Sequence, residues 1–576
     1  MRKYFERGIG SWLSVCTALL LISPNAHLSK NNFHYVPIYL LLVGVALAFL
    51  TMTVLYRFTK NSAWDTLLMT LSACAFSVLC AFHCAQVFTS LACILICVVC
   101  IRYALWRGVV PSVRDIGKRT AAVLVGILIF GIFAFVAAVG VMRYITYSTP
   151  TFDFGIFAQM FYYMKETLLP MTTCERNNGL LSHFAVHISP IYYLILPLYM
   201  LFPYAPTLNV AQALIVSVSI IPVYLLCRRK GFSRIATVLL CGVTAFLPAL
   251  SGGTLYDIHE NCFLLPLLLF VFYFYESKKN IPMYLCAFLV LMVKEDAALY
   301  IAIFALYILL QDKQWKKGLI LLASSVAYFV LAMYLLNTYG DGSMTSRFAD
   351  YMQNDSLFSM ITTLLRNPGL VLANAFAAKK IEFIVLMLAP LCFLPLVTKK
   401  LPRFLMLAPM LVINLMPDWE YQYNIGFQYV FGSAAFLLYA SILNLSEIER
   451  EKQKQWILSA VTASVLLFGA HIAKGCQGYV RTYRNDQERL TTYNEALELI
   501  EDDASVCATR FMLPHLSNRM ELYCMINTKA ETDYAVISLY EPLAVDYYRI
   551  YSDMGYQEIY NDGELLAILK HPDADS

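Results

Sequence analysis

The chain has 576 residues, of which 59% are hydrophobic and 14% are charged, and its mean hydropathy is +0.60. Soluble proteins are about 45–50% apolar and about 25% charged, so this composition excludes a soluble enzyme and a disordered chain and indicates an integral membrane protein. The formal net charge of +4 is too small to suggest nucleic acid or another polyanion as a partner. Most of the sixteen cysteines lie inside apolar runs, where we expect them to pack as small hydrophobic side chains.

The apolar stretches predict a protein with many membrane spans. A helix needs roughly 20 apolar residues to cross a hydrocarbon core about 30 Å thick, with about 17 as the practical lower limit. About fifteen stretches approach this length, and they are centred on residues 10–24, 36–56, 65–82, 85–101, 119–143, 207–227, 234–250, 260–276, 281–294, 296–311, 317–337, 381–398, 403–417, 425–446 and 456–474. The pair 281–294 and 296–311 could instead form one long broken helix. The first stretch begins like a signal peptide, but no convincing cleavage site follows, so we expect a retained helix.

The basic residues between the spans predict the orientation, because Lys and Arg are retained on the cytoplasmic side of a membrane. The connections between spans that are rich in Lys and Arg, called here the basic connections, all fall on one face of the membrane. This requires that the proline-interrupted segment 188–202 dips into the outer face of the membrane without crossing it. We therefore expect a multi-pass protein of the cell membrane with a cytoplasmic N-terminus and an exoplasmic C-terminal domain. Two long exoplasmic loops are expected at residues 144–204 and 337–380.

The tail after Lys474 differs in composition from the rest of the chain. It is polar, with a helical stretch at 492–501 and strand-like runs at 506–509, 533–538 and 565–569. These patterns predict a small exoplasmic α/β domain over 475–576. It follows four N-terminal transmembrane helices in 1–118 and a transmembrane core over 119–474. The fold class is an all-α polytopic membrane protein with a small α/β C-terminal domain.

Asp153 is the first candidate for chemistry. It lies between aromatic residues directly after the span that ends near Arg143. A charge beside the outer end of an apolar helix must face water, a partner or a substrate, so its carboxylate could point into a cavity of the bundle. It could also cap an interfacial helix over 154–164, and the two interpretations are compatible.

Two groups of candidate metal ligands follow. His183 and His187 are four residues apart, so on a helix they would share one face and could bind a divalent ion together. Solvated or hydrogen-bonded histidines are the alternative. Asp257, His259 and Glu260 occupy the turn between two spans, where they could form a metal or phosphate site or could simply face water.

Lys294, Glu295 and Asp296 interrupt an apolar run that contains no Gly or Pro. Burying three charges is expensive unless they face a cavity and compensate one another, so an ion-pair cluster is one interpretation. The other is that Lys294 neutralises the phosphate of a lipid carrier. The turn 418–423 and the loop 347–366 could close such a cavity. No Walker loop, Rossmann glycine pattern or serine-hydrolase elbow is present in the sequence.

Five short motifs resemble domain-of-unknown-function family 2079, a group of bacterial membrane proteins. They occur in order at Phe152–Gln159, Ser182–Pro190, Tyr256–Glu260, Val293–Asp296 and Ala508–Arg519. The resemblance covers the chain from about residue 140 to the end, and that family looks like a branch of the GT-C superfamily of membrane glycosyltransferases. It implies a GT-C-like helical bundle, sugars carried on polyprenyl phosphates and a catalytic acid in the first large exoplasmic loop. The four spans before residue 119 depart from the simplest superfamily pattern.

Position by position, Asp153 matches the first-loop acid of that superfamily, and Asp257 with Glu260 matches the second acidic motif. We therefore expect transfer of a sugar from a polyprenyl phosphate in the membrane lipid to an unknown acceptor of the cell envelope. Asp153 would be the catalytic base. The residues expected to bind substrate are Lys294, Glu295, Asp296, His183 and Gln159.

Positive charge at the departing phosphate would come from Lys294 or from a divalent metal ion such as Mg²⁺ or Mn²⁺. The expected metal ligands are Asp257, His259, Glu260 and His187. A transporter or flippase of a lipid-linked precursor is the main alternative function, because broken short helices are typical of transporters. A non-catalytic receptor or scaffold with an outer sensor domain is the third.

Overall fold

The structure is a computed structural model that describes residues 1–22, 37–109, 115–149, 151–177, 179–342, 345–352 and 357–574. Within these residues, ten helices are long and apolar enough to cross a membrane. They span Arg2–Ile22, Ile38–Thr59, Ala63–Cys84, Val87–Trp106, Lys118–Ile145, Pro206–Arg229, Arg234–Thr254, Trp315–Tyr339, Gln428–Ser446 and Arg450–Asn485. Each coincides with a predicted span, although the end of the first predicted span, after residue 22, lies outside the described residues. All sixteen cysteines are free thiols, and none is fully exposed.

The other five predicted spans are shorter than expected. Helices occupy Leu264–Glu276, Asn280–Leu291, Ala298–Tyr307 and Ala378–Leu388, and short 3₁₀ and π turns occupy Leu401–Leu415. Pro395, Pro402 and Pro409 explain the irregular region, because a proline inside a helix removes a hydrogen bond and clashes with the preceding turn.

Residues 281–311 form two helices rather than one. The backbone of Lys294 is extended, with φ −166° and ψ 162°, and it separates the two helices. Beyond the second helix, Asp312 accepts a hydrogen bond from Tyr275, which lies beside the start of the first helix. The two helices are therefore antiparallel, and Lys294 lies at the turn between them.

Contacts between helix ends place several of the basic connections together at one end of the bundle. Lys230 pairs with Glu276 at 2.6 Å, and Glu276 also accepts a hydrogen bond from Tyr439 at 2.9 Å. Arg234 pairs with Asp115 at 3.6 Å. The opposite ends of the same helices approach the predicted site residues. Which of these two ends faces outward stays a prediction.

The segment 188–202 does not cross the bundle. It consists of a 3₁₀ turn followed by a helix of only six residues. At its start His187 contacts Glu295 at 2.9 Å, and just beyond its end the Asn518 amide donates to the carbonyl of Pro203 at 3.2 Å. Both ends thus lie on the side where the predicted site and the C-terminal sheet meet.

A five-stranded sheet forms the C-terminal region. In spatial order its strands are Leu522–Cys524, Val506–Ala508, Tyr534–Ser538, Leu566–Lys570 and Gln557–Asn561; the first three are parallel and the last two pair antiparallel. Helices Gln487–Leu497 and Ala544–Asp553 accompany the sheet. The three predicted strands are present. The strands at 522–524 and 557–561 were not predicted, because the former has only three residues and the latter is a mostly exposed edge strand without alternating burial.

The sheet docks on the membrane core through the segment 508–519. His515 stacks between the rings of Tyr144 and Tyr147, with centroid distances of 4.0 and 3.7 Å. One ring nitrogen of His515 also lies 3.1 Å from the carbonyl oxygen of Tyr144. This segment therefore joins the C-terminal end of the helix Lys118–Ile145 to the C-terminal sheet.

Candidate active site

A cavity of about 650 Å³ opens at the end of the bundle away from the basic connections. Five of the predicted site residues line it, namely Asp153, His183, His187, His259 and Lys294. Other polar or aromatic lining residues include Glu175, Tyr256, Arg347, Trp419, Gln428, Tyr429 and Asn527. Segments more than a hundred residues apart in sequence thus meet in one space, and Asn527 comes from the C-terminal region.

Asp153 lies in the first turn of the helix Thr151–Thr167, where a negative charge is favoured by the helix dipole. Because this helix begins before Asp153, the residue is not the helix cap that the sequence suggested. Its carboxylate, 35% exposed, accepts a hydrogen bond from the Tyr256 hydroxyl at 2.8 Å and lies 3.6 Å from Nε2 of His259. Burial raises the pKa of Asp153, but the contacts with His259 and Tyr256 outweigh it and hold the pKa below its ordinary value. The carboxylate is therefore ionised and open to the cavity.

Gln212 fixes the turn that carries Tyr256 and His259. Its side-chain nitrogen donates to the carbonyls of Thr254 and Asp257 at 3.0 Å each, and its oxygen accepts from the backbone N–H of His259 at 2.9 Å. The sequence pattern did not single out Gln212. The available signal was a polar amide inside a predicted membrane span.

Asp257 lies behind the cavity rather than in its wall. It is fully buried, and its carboxylate faces Nη1 of Arg143 at 3.5 Å. Burial raises the pKa of Asp257 to about 7, although the cation of Arg143 opposes the shift. Asp257 is therefore placed to pair with Arg143 and not to contact a ligand in the cavity.

Lys294 lines the cavity and is paired with an acid from another loop. Its ammonium lies 3.3 Å from Oε1 of Glu260, whose other oxygen accepts from the Tyr192 hydroxyl at 2.7 Å. The three charges at 294–296 thus do not form the self-contained ion-pair cluster that was one interpretation of the sequence. Glu295 instead holds His187, while Asp296 is outside the cavity lining. Glu260 and Glu295 support cavity residues from behind.

The two histidines are each oriented by a different carboxylate. Nδ1 of His183 lies 3.0 Å from Glu175, and Nδ1 of His187 lies 2.9 Å from Glu295. They do not share an α-helical face as the spacing suggested, since residues 183–185 form a 3₁₀ turn. Their ring centroids are nevertheless 6.0 Å apart. Burial, followed by the charge of Lys294, lowers the pKa of His187 well below its ordinary value, so this ring is neutral.

The four predicted metal ligands do not converge on one point. Asp257 faces Arg143, Glu260 is held by Lys294, and His187 and His259 contact different carboxylates. Across the part of the chain that the structure describes, no group of three His, Cys, Asp or Glu residues could hold a metal ion. The donor set of these residues therefore does not fit the expected divalent ion.

Gln159, which was expected to bind substrate, contacts Thr173 and Met520 instead of the cavity. Its amide nitrogen donates to Oγ1 of Thr173 at 2.8 Å and to the carbonyl of Met520 at 3.0 Å, and its oxygen accepts from the N–H of Thr173. It is fully buried and absent from the cavity lining. Gln159 therefore joins the helix Thr151–Thr167 to the C-terminal sheet.

Arg347 and the turn at 418–423 border the cavity, as the sequence suggested. The guanidinium of Arg347 lies over the rings of Trp419 and Tyr429, 5.3 and 5.5 Å from their centroids. The backbone N–H of Asp418 donates to the Arg347 carbonyl at 2.9 Å, which ties the loop to the turn. Part of the loop predicted to close the cavity, 353–356, lies outside the described residues.

One protein family matches the chain, and two solved structures of one protein show similarity to it. Two crystal structures of ArnT from Cupriavidus metallidurans, one bound to undecaprenyl phosphate and one in the apo state, are each 11% identical to this chain. Their TM-scores are 0.49 and 0.44, and the alignments cover 77% and 76% of this chain and 98% and 97% of ArnT. No curated protein matches the chain. The family described as predicted membrane protein DUF2079 matches residues 143–547, which is more than half of the chain, and the protein belongs to that family.

Proposed function

We propose that the protein is a membrane glycosyltransferase that moves a sugar from a polyprenyl phosphate to an acceptor of the cell envelope. The observation that carries the proposal is the cavity in which an ionised carboxylate, Asp153, meets cationic side chains, among them Lys294 and Arg347. Displacing a sugar from a lipid phosphate needs a base for the acceptor and positive charge for the departing phosphate. The cavity contains both.

Asp153 accepts the proton of the acceptor's hydroxyl or amine as that atom bonds to the anomeric carbon. The bond from this carbon to the phosphate oxygen breaks, and its electron pair leaves with the lipid phosphate. Lys294 and Arg347 stabilise the added negative charge. Tyr256 and His259 keep Asp153 ionised and oriented while the acceptor binds.

The position of Lys294 favours a lipid-borne phosphate. The preceding helix, Asn280–Leu291, starts near the basic end of the bundle and has only 12 residues. At 1.5 Å per residue it is about 18 Å long, which is less than the roughly 30 Å of a hydrocarbon core. Lys294 therefore lies short of the outer surface, where a phosphate can reach it while its prenyl chain stays among lipids.

A transporter of lipid-linked precursors is the second candidate, because the same short antiparallel helices on either side of Lys294 are typical of transporters. Against it, the sequence shows no sign of the inverted repeat from which many transporters are built. Flipping of a fluorescent lipid-linked sugar in proteoliposomes, without transfer to any acceptor, would favour this candidate.

The direct test is transfer from radiolabelled polyprenyl-phosphate sugars by protein in nanodiscs, with a cell-envelope extract as acceptor. Wild type should transfer label and Asp153→Asn should not. Asp546→Asn is the matched control, because Asp546 is exposed, pairs with Arg549 and is absent from the cavity lining. We expect transfer to persist in EDTA. No transfer from any donor would contradict the proposal, and a loss in EDTA that Mg²⁺ or Mn²⁺ reverses would restore the metal hypothesis.

A further inference from the structure

The Glu175–His183 pair leaves one ring nitrogen of His183 without a partner. His183 is 2% exposed and lines the cavity, and its Nδ1 lies 3.0 Å from Glu175. An ionised carboxylate can only accept, so Nδ1 carries a hydrogen, and in the corresponding neutral tautomer Nε2 is an acceptor. Among the described residues, Nε2 makes no hydrogen bond, although it is buried.

Gln428 provides a second unpartnered polar atom in the same cavity. It is 5% exposed and lies in the 3₁₀ turn that leads into the helix Phe431–Ser446. Asn414 fixes this turn by donating to the backbone carbonyl of the neighbouring Tyr429 at 3.1 Å. The side-chain oxygen of Gln428 has no hydrogen-bond partner within the described part of the chain.

Buried polar atoms are rarely left unpaired in proteins, because losing water without gaining a hydrogen bond is costly. Two such atoms on residues that line one cavity point to a ligand that satisfies them. Both are uncharged, so neither suits a phosphate, which Lys294 serves better. Hydroxyl groups fit these atoms, because a hydroxyl can donate a hydrogen bond to the His183 nitrogen or to the Gln428 oxygen. If the Gln428 amide is flipped, so that its NH₂ group takes the place of its oxygen, a hydroxyl can accept a hydrogen bond from it.

We propose that His183, oriented by Glu175, and Gln428 form a hydroxyl-binding subsite for the sugar. The inference rests on the proposed function and adds to it the groups that recognise the sugar, separately from the phosphate. In this role His183 is a binding residue and not a second base. Its loss should raise KM for the glycosylated lipid more than it lowers kcat.

The test compares binding of two kinds of lipid to the full-length protein in nanodiscs. The probes are undecaprenyl phosphate alone and undecaprenyl phosphates that carry glucose, mannose or N-acetylglucosamine. Wild type should prefer at least one glycosylated lipid over the bare phosphate. His183→Asn and Gln428→Leu should each reduce that preference about 3- to 10-fold, the range for a neutral hydrogen bond. Binding of the bare lipid should not change in either variant.

Two variants at the same position separate binding from folding. Asn can still donate to Glu175 from the position of Nδ1 but has no atom at the position of Nε2, whereas Gln places a polar atom near Nε2. His183→Gln should therefore keep more of the preference than His183→Asn. Equal binding of bare and glycosylated lipids by wild type, or an undiminished preference in both His183→Asn and Gln428→Leu, would overturn the subsite.

Failure of the proposed function gives a different result. If neither kind of lipid binds wild type, the lipid-linked donor is wrong. The subsite is then judged with free methyl glucoside, methyl mannoside and methyl N-acetylglucosaminide at high concentration. Thermal stabilisation of wild type that His183→Asn abolishes would keep the subsite, and no stabilisation by any of the three would overturn it.

Discussion

Replacing Lys294 by Met should both destabilise the protein and weaken binding of a lipid phosphate. Lys294 is 5% exposed and Glu260 is 1% exposed, and their charged groups are 3.3 Å apart. Removing one partner of a buried ion pair leaves the other charge uncompensated, which typically costs about 3–5 kcal/mol. The hydrogen bond from Tyr192 to Glu260 remains and should keep the loss toward the lower end of this range.

The double variant Lys294→Met/Glu260→Gln separates the two effects. Gln at position 260 still accepts from Tyr192 but carries no charge, so most of the lost stability should return. The cation for the phosphate is still absent, and a hydrogen bond to a charged group contributes about 1.5–3 kcal/mol. Binding of undecaprenyl phosphate should therefore stay about 10- to 100-fold weaker than in wild type. Lys294→Arg should retain more of the binding than Lys294→Met.

Stability is measured by thermal unfolding in detergent and binding by titration of nanodiscs with undecaprenyl phosphate. Lys452→Met is the matched control, because Lys452 is exposed and forms a surface ion pair with Glu449 at 2.9 Å. Such pairs contribute at most about 1 kcal/mol. Wild-type affinity in the double variant would refute the phosphate role, and an unchanged unfolding midpoint in Lys294→Met would refute the buried ion pair.

Four further predictions test the base, its environment, the docking of the sheet and the orientation. Asp153→Asn should lower transfer ~10²- to 10⁴-fold at an unchanged unfolding midpoint; near-normal transfer would assign the base elsewhere. His259→Gln should move the acidic limb of the pH–rate profile upward, because His259 helps to lower the pKa of Asp153; an unmoved limb would contradict this coupling. Burial lowers the pKa of His515 from 6.5 to about 3, so the neutral ring stabilises the docking of the segment 508–519, and this stabilisation is lost progressively as pH falls below 6.5. Hydrogen exchange of 508–519 should therefore speed up at acidic pH in wild type and not in His515→Phe. A cysteine replacing Asp546 should react with an impermeant reagent on intact cells and one replacing Lys452 should not; the reverse would overturn the orientation.

The sequence predicted the long spans and the main site segments because these depend on local patterns. A run of about 20 apolar residues is visible without tertiary information, and so is a carboxylate such as Asp153 just beyond the end of one. The partner of each charge was not visible. Lys294 pairs with Glu260 rather than with its neighbours, and Gln212 reaches a turn more than forty residues away. Such pairs depend on how the helices pack.

The short helices show a second limit of hydropathy. Apolar composition alone made 281–294 and 296–311 candidate spans, yet their helices have 12 and 10 regular residues. An apolar composition indicates that a segment is removed from water, but it does not show whether lipid or other parts of the protein surround that segment. Seven of the ten residues of the helix Ala298–Tyr307 are buried against other helices. Segments of this kind can be short because protein, and not lipid, surrounds them.

The arrangement of charges suggests why the site needs the whole fold. Three basic side chains of the cavity are each held by an acid, Lys294 by Glu260, His187 by Glu295 and His183 by Glu175. Only the last pair lies within one loop, and the other two join segments more than thirty residues apart. Such pairing fixes the direction of each donor or acceptor before a ligand arrives, which reduces the reorganisation that binding requires. It also follows that substitution of a supporting acid that touches no ligand should alter recognition in the cavity, since the side chain it orients would lose its position.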